Sequence, residues 1–421
     1  MSKFIKFVAQ CYDSSTGKLI EEFIILDEEL TKATTLKELG YLHIEQINFL
    51  EKIQSFKIKH QIMLNSLSVC QKCAAKTVKA GVFTSSFHAA LTDHKVLVQR
   101  TRCKCGWQSP TSIEGIFGSA LHPDLVKKQA LQGSKESYAR AGESLNAESC
   151  ITRAVNGHSQ IHKSVELVAS KLEEIRLVKP TGLVSDSATE LIVNIDGGHI
   201  KSRGDSNSFE AMITSVHRAE NLKLVNKHHN EITSKTIVAS AKDDAQKTIK
   251  TLLHNACLIQ GMDTETVVTC LADGAENCKS IAYSIKPYCK ELVYILDWFH
   301  ISMKFKNIAI PNEHMELFEK AKWHLWRGDH ETALLRLTEL KNHKEIAADT
   351  KLTLKLSKLT TYITNNKSGI VCYEARYNNG LPFTSNIAES TVNHLINDRQ
   401  KGKQQMLWSR KGAHNILQIR A

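Results

Sequence analysis

No uninterrupted apolar run in this 421-residue chain approaches the ~18 residues that a bilayer-spanning helix requires. A helical membrane protein is therefore not expected. A secretory leader is not expected either, because the opening MSKFIKFVAQCYDSSTGK brings in acids and polar residues too early. Without either feature the chain reads as cytoplasmic. In that compartment its eleven cysteines read as thiols and metal ligands rather than disulfides. Proline is also scarce. None falls between residues 35 and 67, and one, Pro311, falls between 305 and 380, so both stretches are free to be helical.

A hydrophobic content of 42% and a charged content of 24% fit a globular chain with enough length for two to four domains. The net charge of +11 is unevenly placed. Residues 66–110 hold seven Lys/Arg and one Asp, residues 394–421 hold six and one, and the remaining chain is balanced at 42 of each sign. Two basic windows that also carry motifs point to phosphate binding.

Residues 1–30 contain two apolar runs around Asp13-Ser-Ser-Thr-Gly17, a hairpin signal. Residues 35–67 show helical spacing, and the N-terminal region 1–65 reads as hairpin plus helix. Cys70 and Cys73 are followed, after 29 residues, by Cys103 and Cys105 with Gly106. Two close pairs at this separation predict a zinc-ribbon module over 66–112, with one structural zinc held by four thiolates. Residues 113–180 read as helical, with helices over 134–148 and 159–175 broken at Asn156-Gly157-His158, an arrangement compatible with a helix-turn-helix. A polar linker follows from 180 to 189.

From residue 190 the pattern changes to three strands (191–195, 210–216, 235–240), a helix (243–259), a strand (266–272), a helix near 276–286, a strand (291–296) and a helix from Phe299. That order predicts an α/β, ribonuclease-H-like mixed sheet over 190–304, in which the first and fourth strands are neighbours. A helical insertion follows over 305–380, with Trp323 and Trp326 expected in its core. Residues 381–421 supply a final helix, Ser385 to about Asp398, and a basic tail.

The first and fourth strands end in acids: Val193-Asn-Ile-Asp196-Gly-Gly and Leu271-Ala-Asp273-Gly. Glu389 lies on the late helix, flanked at helical spacing by Asn386 and Asn393. Three converging carboxylates can hold two magnesium (or manganese) ions for in-line phosphoryl transfer, with Asp196 bridging both ions. Asp297, which closes the fifth strand, and His300 rank behind them as supporting or substrate-positioning groups. Asp205, Asp243 and Asp244 read as loop and cap residues. In the tail, Arg399, Lys401, Lys403, Arg410 and Lys411 are candidates for phosphate contacts, and Trp408 for stacking on an unpaired base.

With these residues in place, the sequence resembles bacterial insertion-sequence transposases of the DDE type, in particular the ISKra-type group. The resemblance rests on Val193 to Gly198, Leu271 to Glu276, Asp297-Trp-Phe-His300, and above all the stretch from Ser385 to Ala421, where a glutamate precedes a basic linker and then Trp408-Ser-Arg-Lys-Gly-Ala413. The Asp297-x-x-His300 element is similar to one found in the wider Mutator-like transposases. The resemblance implies a ribonuclease-H-like catalytic domain with a helical insertion, catalytic acids at Asp196, Asp273 and Glu389, and metal-dependent cleavage at element ends with strand transfer by a terminal hydroxyl. The implied partners are the DNA ends of its own element and target DNA, bound by a homo-oligomer assembled on that DNA. Two other expectations stand beside it: a ribonuclease-H-like nuclease that cuts without joining, and, since chains of that group tend to run on past Ala421, a shortened DNA-binding copy without catalysis.

Overall fold

The computed structural model describes residues 3–181, 186–204, 207–226, 229–385, 393–401 and 406–421, with backbone alone for 224–226, 229, 230 and 393. They form two compact units, Met1–Val168 and Ala169–Ala421. Among the described residues no helix is long and apolar enough to cross a membrane.

In the first unit, β1 (Lys3–Tyr12) pairs antiparallel with β2 (Leu19–Leu30). The Asp13 carboxylate closes the turn by accepting from the Ser15 and Thr16 amides at 3.0 and 2.8 Å. Helix α1 (His43–Leu64) follows, then the hairpin of β3 (Val78–His88) and β4 (Asp93–Arg102). Ile62 of α1 packs with Val96, Val98 and Ile113, a small core between helix and hairpin. After α2 (Ile113–Phe117) come α3 (Pro123–Lys135), α4 (Tyr138–Ser149) and α5 (His158–Leu177).

The helix expected over 134–148 is present as α4, which starts four residues later, at Tyr138, while Ser134 and Lys135 end α3. Glu136 is extended, and the Ser137 hydroxyl accepts from the Arg140 amide, so a side-chain cap starts α4 where periodicity alone would continue α3. The second expected helix and the break before it are present.

The second unit is built on one five-stranded sheet. Its strands are β5 (Glu190–Lys201), β6 (Ser208–Arg218), β9 (Thr236–Ser240), β10 (Val267–Ala272) and β11 (Glu291–Leu296), in the spatial order β11-β10-β5-β6-β9. β6 is antiparallel to both β5 and β9, while β10 is parallel to β5 and β11. All five expected strands are present, and the first and fourth are neighbours. A short hairpin, β7 (Leu222–Asn226) with β8 (His229–Ile232), was not anticipated, since neither Gly nor Pro marks its turn.

Strand alternation assigns each face its own core. Leu191, Val193 and Ile195 face α6 (Lys247–Ile259) and α7 (Glu276–Tyr283), joined by Val268, Cys270 and Ala272. Ile192, Leu271 and Ile295 face the other way, into a layer made by α8 (Trp298–Lys306), α9 (Met315–Trp326), α10 (His330–Asn342), α11 (Lys344–Ala348), α12 (Thr350–Asn365) and α13 (Tyr373–Asn378). Helix α6 starts four residues later than its pattern suggested, because Ala245 and Gln246 have φ of 51° and 66°. Asp244 caps it, accepting from the Thr248 amide at 3.0 Å. Trp326 packs with Trp298, Tyr373 and Phe383, but Trp323, expected in the core, is 48% exposed.

The chain closes with a π-helical segment (Asn393–Lys401) and α14 (Arg410–Arg420). Helix α14 covers the free edge of β9: Gln418 Nε2 donates to the Ala239 carbonyl at 2.7 Å, and the Ala241 amide donates to His414 Nδ1 at 3.3 Å. Replacing Gln418 by Leu leaves that buried carbonyl unpaired and should cost about 1–3 kcal/mol of unfolding free energy in a urea titration. An unchanged midpoint and slope would show that the edge is satisfied by other means.

Candidate functional site

The register of three strands builds the site. Ile195 of β5 pairs with Ala272 of β10, and Ala272 pairs with Leu296 of β11. The next residue in each strand direction is an aspartate: Asp196, Asp273 and Asp297. The ladder continues into this row, since the Asp297 amide donates to the Ala272 carbonyl at 2.9 Å. Three carboxyl-bearing residues therefore stand at one level of three adjacent parallel strands, Asp273 and Asp297 just past the ends of β10 and β11; Asp196, expected to end its strand, lies midway along β5, which stays paired with β6 as far as Lys201.

Each acid has a different setting. The Asp196 carboxylate accepts from the Gly197 amide at 2.7 Å. Burial pushes its pKa up; His300 and that amide oppose the shift, while Asp273 and Asp297 add to it. The Asp273 carboxylate accepts from the Ala275 amide at 2.8 Å, which leads into α7, and its carbonyl accepts from the Tyr362 hydroxyl at 2.8 Å. Gly274 makes the turn behind Asp273 with φ of +86°, and a Cβ there would lie 2.6 Å from Asn366 Oδ1 and 2.7 Å from Leu296 Cδ1. Only glycine fits that corner.

Asp297 is fully buried and its oxygens are already engaged. It caps α8 through the Phe299 amide at 3.0 Å, accepts from the Ser385 amide at 3.0 Å and from the Ser385 hydroxyl, and lies 3.5 Å from His300 Nε2. It holds protein together more than it offers open lone pairs.

The four cysteines form a separate site in the first unit. Cys70, Cys73, Cys103 and Cys105 bring all four sulfurs within 4.8 Å of one another, with Cys70–Cys105 at 3.6 Å and Cys73–Cys103 at 3.5 Å. Tetrahedral zinc with bonds of ~2.3 Å puts its sulfurs about 3.8 Å apart, so this cluster is close to the separation a metal would impose. Each pair sits on a tight turn: the Cys70 amide donates to the Ala75 carbonyl at 2.8 Å, and the Gly106 amide to the Cys103 carbonyl at 3.0 Å. Among the described residues, the other set of three or more ligand atoms at this closeness is Glu313, His314 and Glu345; the edge aspartates do not form one.

A model of the uncharacterised protein family UPF0236 matches residues 120–421. The chain belongs to UPF0236. No curated protein matches it. The matched region of this UPF0236 chain contains the whole sheet and its aspartates, and begins after the four cysteines.

The remaining expected site residues have mixed outcomes. Asn386, Glu389 and Lys403, and the side chain of Asn393, lie outside the described residues. The described residues around Glu389 are held at the same edge. Ser385 is bound by Asp297, and Ile396 packs so closely on Gly198 that a Cβ there would lie 2.3 Å from Ile396 Cδ1.

Lys401 and Lys411 are exposed. Arg410 stacks on Phe209, 4.9 Å from its ring centroid, and donates to the Ala241 carbonyl. Arg399 and Trp408 correct the reading of the tail. They are 0% and 5% exposed, and the guanidinium stacks 4.7 Å from the indole ring. The base and aromatic that looked available to DNA are used on each other.

One acid was missed. Glu210 of β6 packs against Gly197 and accepts from Asn277 Nδ2 at 2.8 Å, beside α7. Only the β5–β6 register reveals it, since nothing in its own segment marks it.

On the face that carries Asp196, His217 pairs in register with Ile192 and is 3% exposed. Burial, and then Lys235, lower its pKa to about 4. The unfolded chain then binds more protons than the folded one between about pH 6.5 and 4, so this contribution to stability is whole above the unfolded pKa and lost as pH falls through that window. The melting temperature should decline over this range, and His217→Gln should flatten part of the decline; identical pH profiles would contradict the assignment.

Proposed function

We propose that this UPF0236 member is a DNA transposase that cuts DNA at element ends and transfers the strand, using a ribonuclease-H-like core. The observation that carries the reading is that Asp196 and Asp273 each directly follow the paired residues Ile195 and Ala272 of neighbouring parallel strands, β5 being central in its sheet. The strand order, three antiparallel strands and then two parallel to the first, supports that fold. An edge that gathers like charges against burial is also more typical of function than of structure.

The donor set at the edge is all oxygen, which suits magnesium or manganese better than softer metals. Asp196, Asp273 and, by the resemblance, Glu389 would hold such ions, which when bound stabilise charge on the attacking and leaving oxygens. Asp196, disfavoured as a carboxylate first by burial, would gain from a nearby cation. Gly197 and Ala275 orient the two carboxylates through their amides. Asp297 acts through Ser385, tethering the start of the segment that carries Glu389. Exposed Lys401 and Lys411 are suited to hold phosphates, and the four cysteines to hold one structural zinc.

Asp196→Asn, Asp273→Asn and Glu389→Gln should each lower magnesium-dependent cleavage of a duplex carrying the gene's flanking sequence about a thousandfold or more, the worth of several kcal/mol, while leaving DNA binding largely intact. Appreciable cutting by any of the three would sink the assignment of that residue. Joined products in the same assay separate a transposase from a nuclease that only cuts. Elemental analysis should find one zinc per chain, lost in Cys70→Ser; equal zinc in the variant would refute that site.

A further inference from the structure

A cavity of about 250 Å³ lies beside the acidic edge, on the face of the sheet that carries Asp196. Asn194, two residues before Asp196, lines its floor with His217 and Leu271. Tyr377, Phe383 and Thr384 line it as well, and Thr384 directly precedes the Ser385 that Asp297 holds.

Three properties define what fits. The volume is below the roughly 300–1,000 Å³ of sites for drug-sized ligands, so it suits a single ring system. None of its described lining residues is a lysine, arginine, aspartate or glutamate, and its histidine is held neutral by burial, so the occupant is uncharged. Two buried polar atoms of the lining residues, His217 Nδ1 and Thr384 Oγ1, have no hydrogen-bond partner among the described residues. Buried groups of this kind are rarely left unmatched, which calls for an occupant with hydrogen-bonding edges. Apolar walls, two aromatic rings and a few unmatched polar atoms among the lining together describe a site for a planar heteroaromatic base.

We propose that this cavity receives one unstacked base of the DNA strand that is cut at the neighbouring edge. The proposal rests on the function argued above, because the cavity's closeness to Asp196 makes the cut strand its natural source of bases. Its phosphates stay outside, since the neutral lining offers them no partner. Unstacking costs a few kcal/mol, which the cavity's polar atoms and rings can offset, and the cut phosphate is thereby fixed relative to Asp196 and Asp273.

The test places a fluorescent purine analogue, bright when unstacked, at each position flanking the cleaved phosphate in a duplex of the gene's flanking sequence. One position should brighten several-fold on binding the wild-type protein. Thr384→Val and His217→Leu should remove most of that rise and slow cleavage about tenfold, while overall affinity, carried by phosphate contacts, stays near wild type. An abasic nucleotide at the bright position should make cleavage insensitive to Thr384→Val. Cleavage of every duplex with no bright position, or a rise that both variants retain, would overturn the proposal while leaving the proposed function standing. A wild-type protein that neither binds nor cuts DNA overturns both. Thr384→Val is isosteric, so it keeps the test decisive if His217→Leu does not fold.

Discussion

The arrangement at the edge depends on one pairing: β5 beside β10, parallel, with Ile195 opposite Ala272. A shift of one residue in that register would turn Asp196 to the opposite face and break both apolar cores. The hydrophobic pattern on the two faces therefore fixes where the carboxylates stand. Leu191, Val193 and Ile195 are committed to one core and Ile192 to the other, so the sheet cannot relax the crowding at its edge by slipping. The cost of keeping the Asp196 carboxylate there, raised in pKa first by burial and last by Asp273 and Asp297, is offset by apolar burial elsewhere in the unit.

Around that edge the chain uses neutral groups for support. Gly274 makes a corner no other residue can make, Tyr362 and Tyr373 hold the carbonyls of Asp273 and Leu296 from the helical layer, and Asp297 is occupied with Phe299 and Ser385. The helical layer is thus more than an insertion between strand and final helix, because it anchors the residues behind two of the three aspartates. The proposed catalytic pair, the tether of the Glu389 segment and the proposed base cavity share this one support.

Much of this was legible in the sequence, for physical reasons. Strands buried on both faces appear as unbroken apolar runs, and Gly beside a terminal Asp marks where each run ends, so β5 and β10 and their acids stood out. Four cysteines in close pairs need no long-range knowledge to be grouped, and the structure brings all four sulfurs together. What failed depended on competition or register. The α3–α4 break is decided by the Ser137 cap, which helical periodicity does not register. Arg399 and Trp408 have the same spacing whether they meet DNA or each other, and only burial separates the two. Glu210 reaches the site through a cross-strand neighbour, and the β7–β8 hairpin turns without the residues that usually mark a turn.

Manganese binding measured by anomalous diffraction from crystals, together with a solution titration by electron paramagnetic resonance, tests the central claim most directly. An ion between the carboxylates of Asp196 and Asp273, with binding lost in Asp196→Asn while the protein remains folded, is the predicted result. An edge without an ion at saturating manganese, or equal binding by wild type and Asp196→Asn, would contradict it and leave the aspartate row a feature of the fold alone.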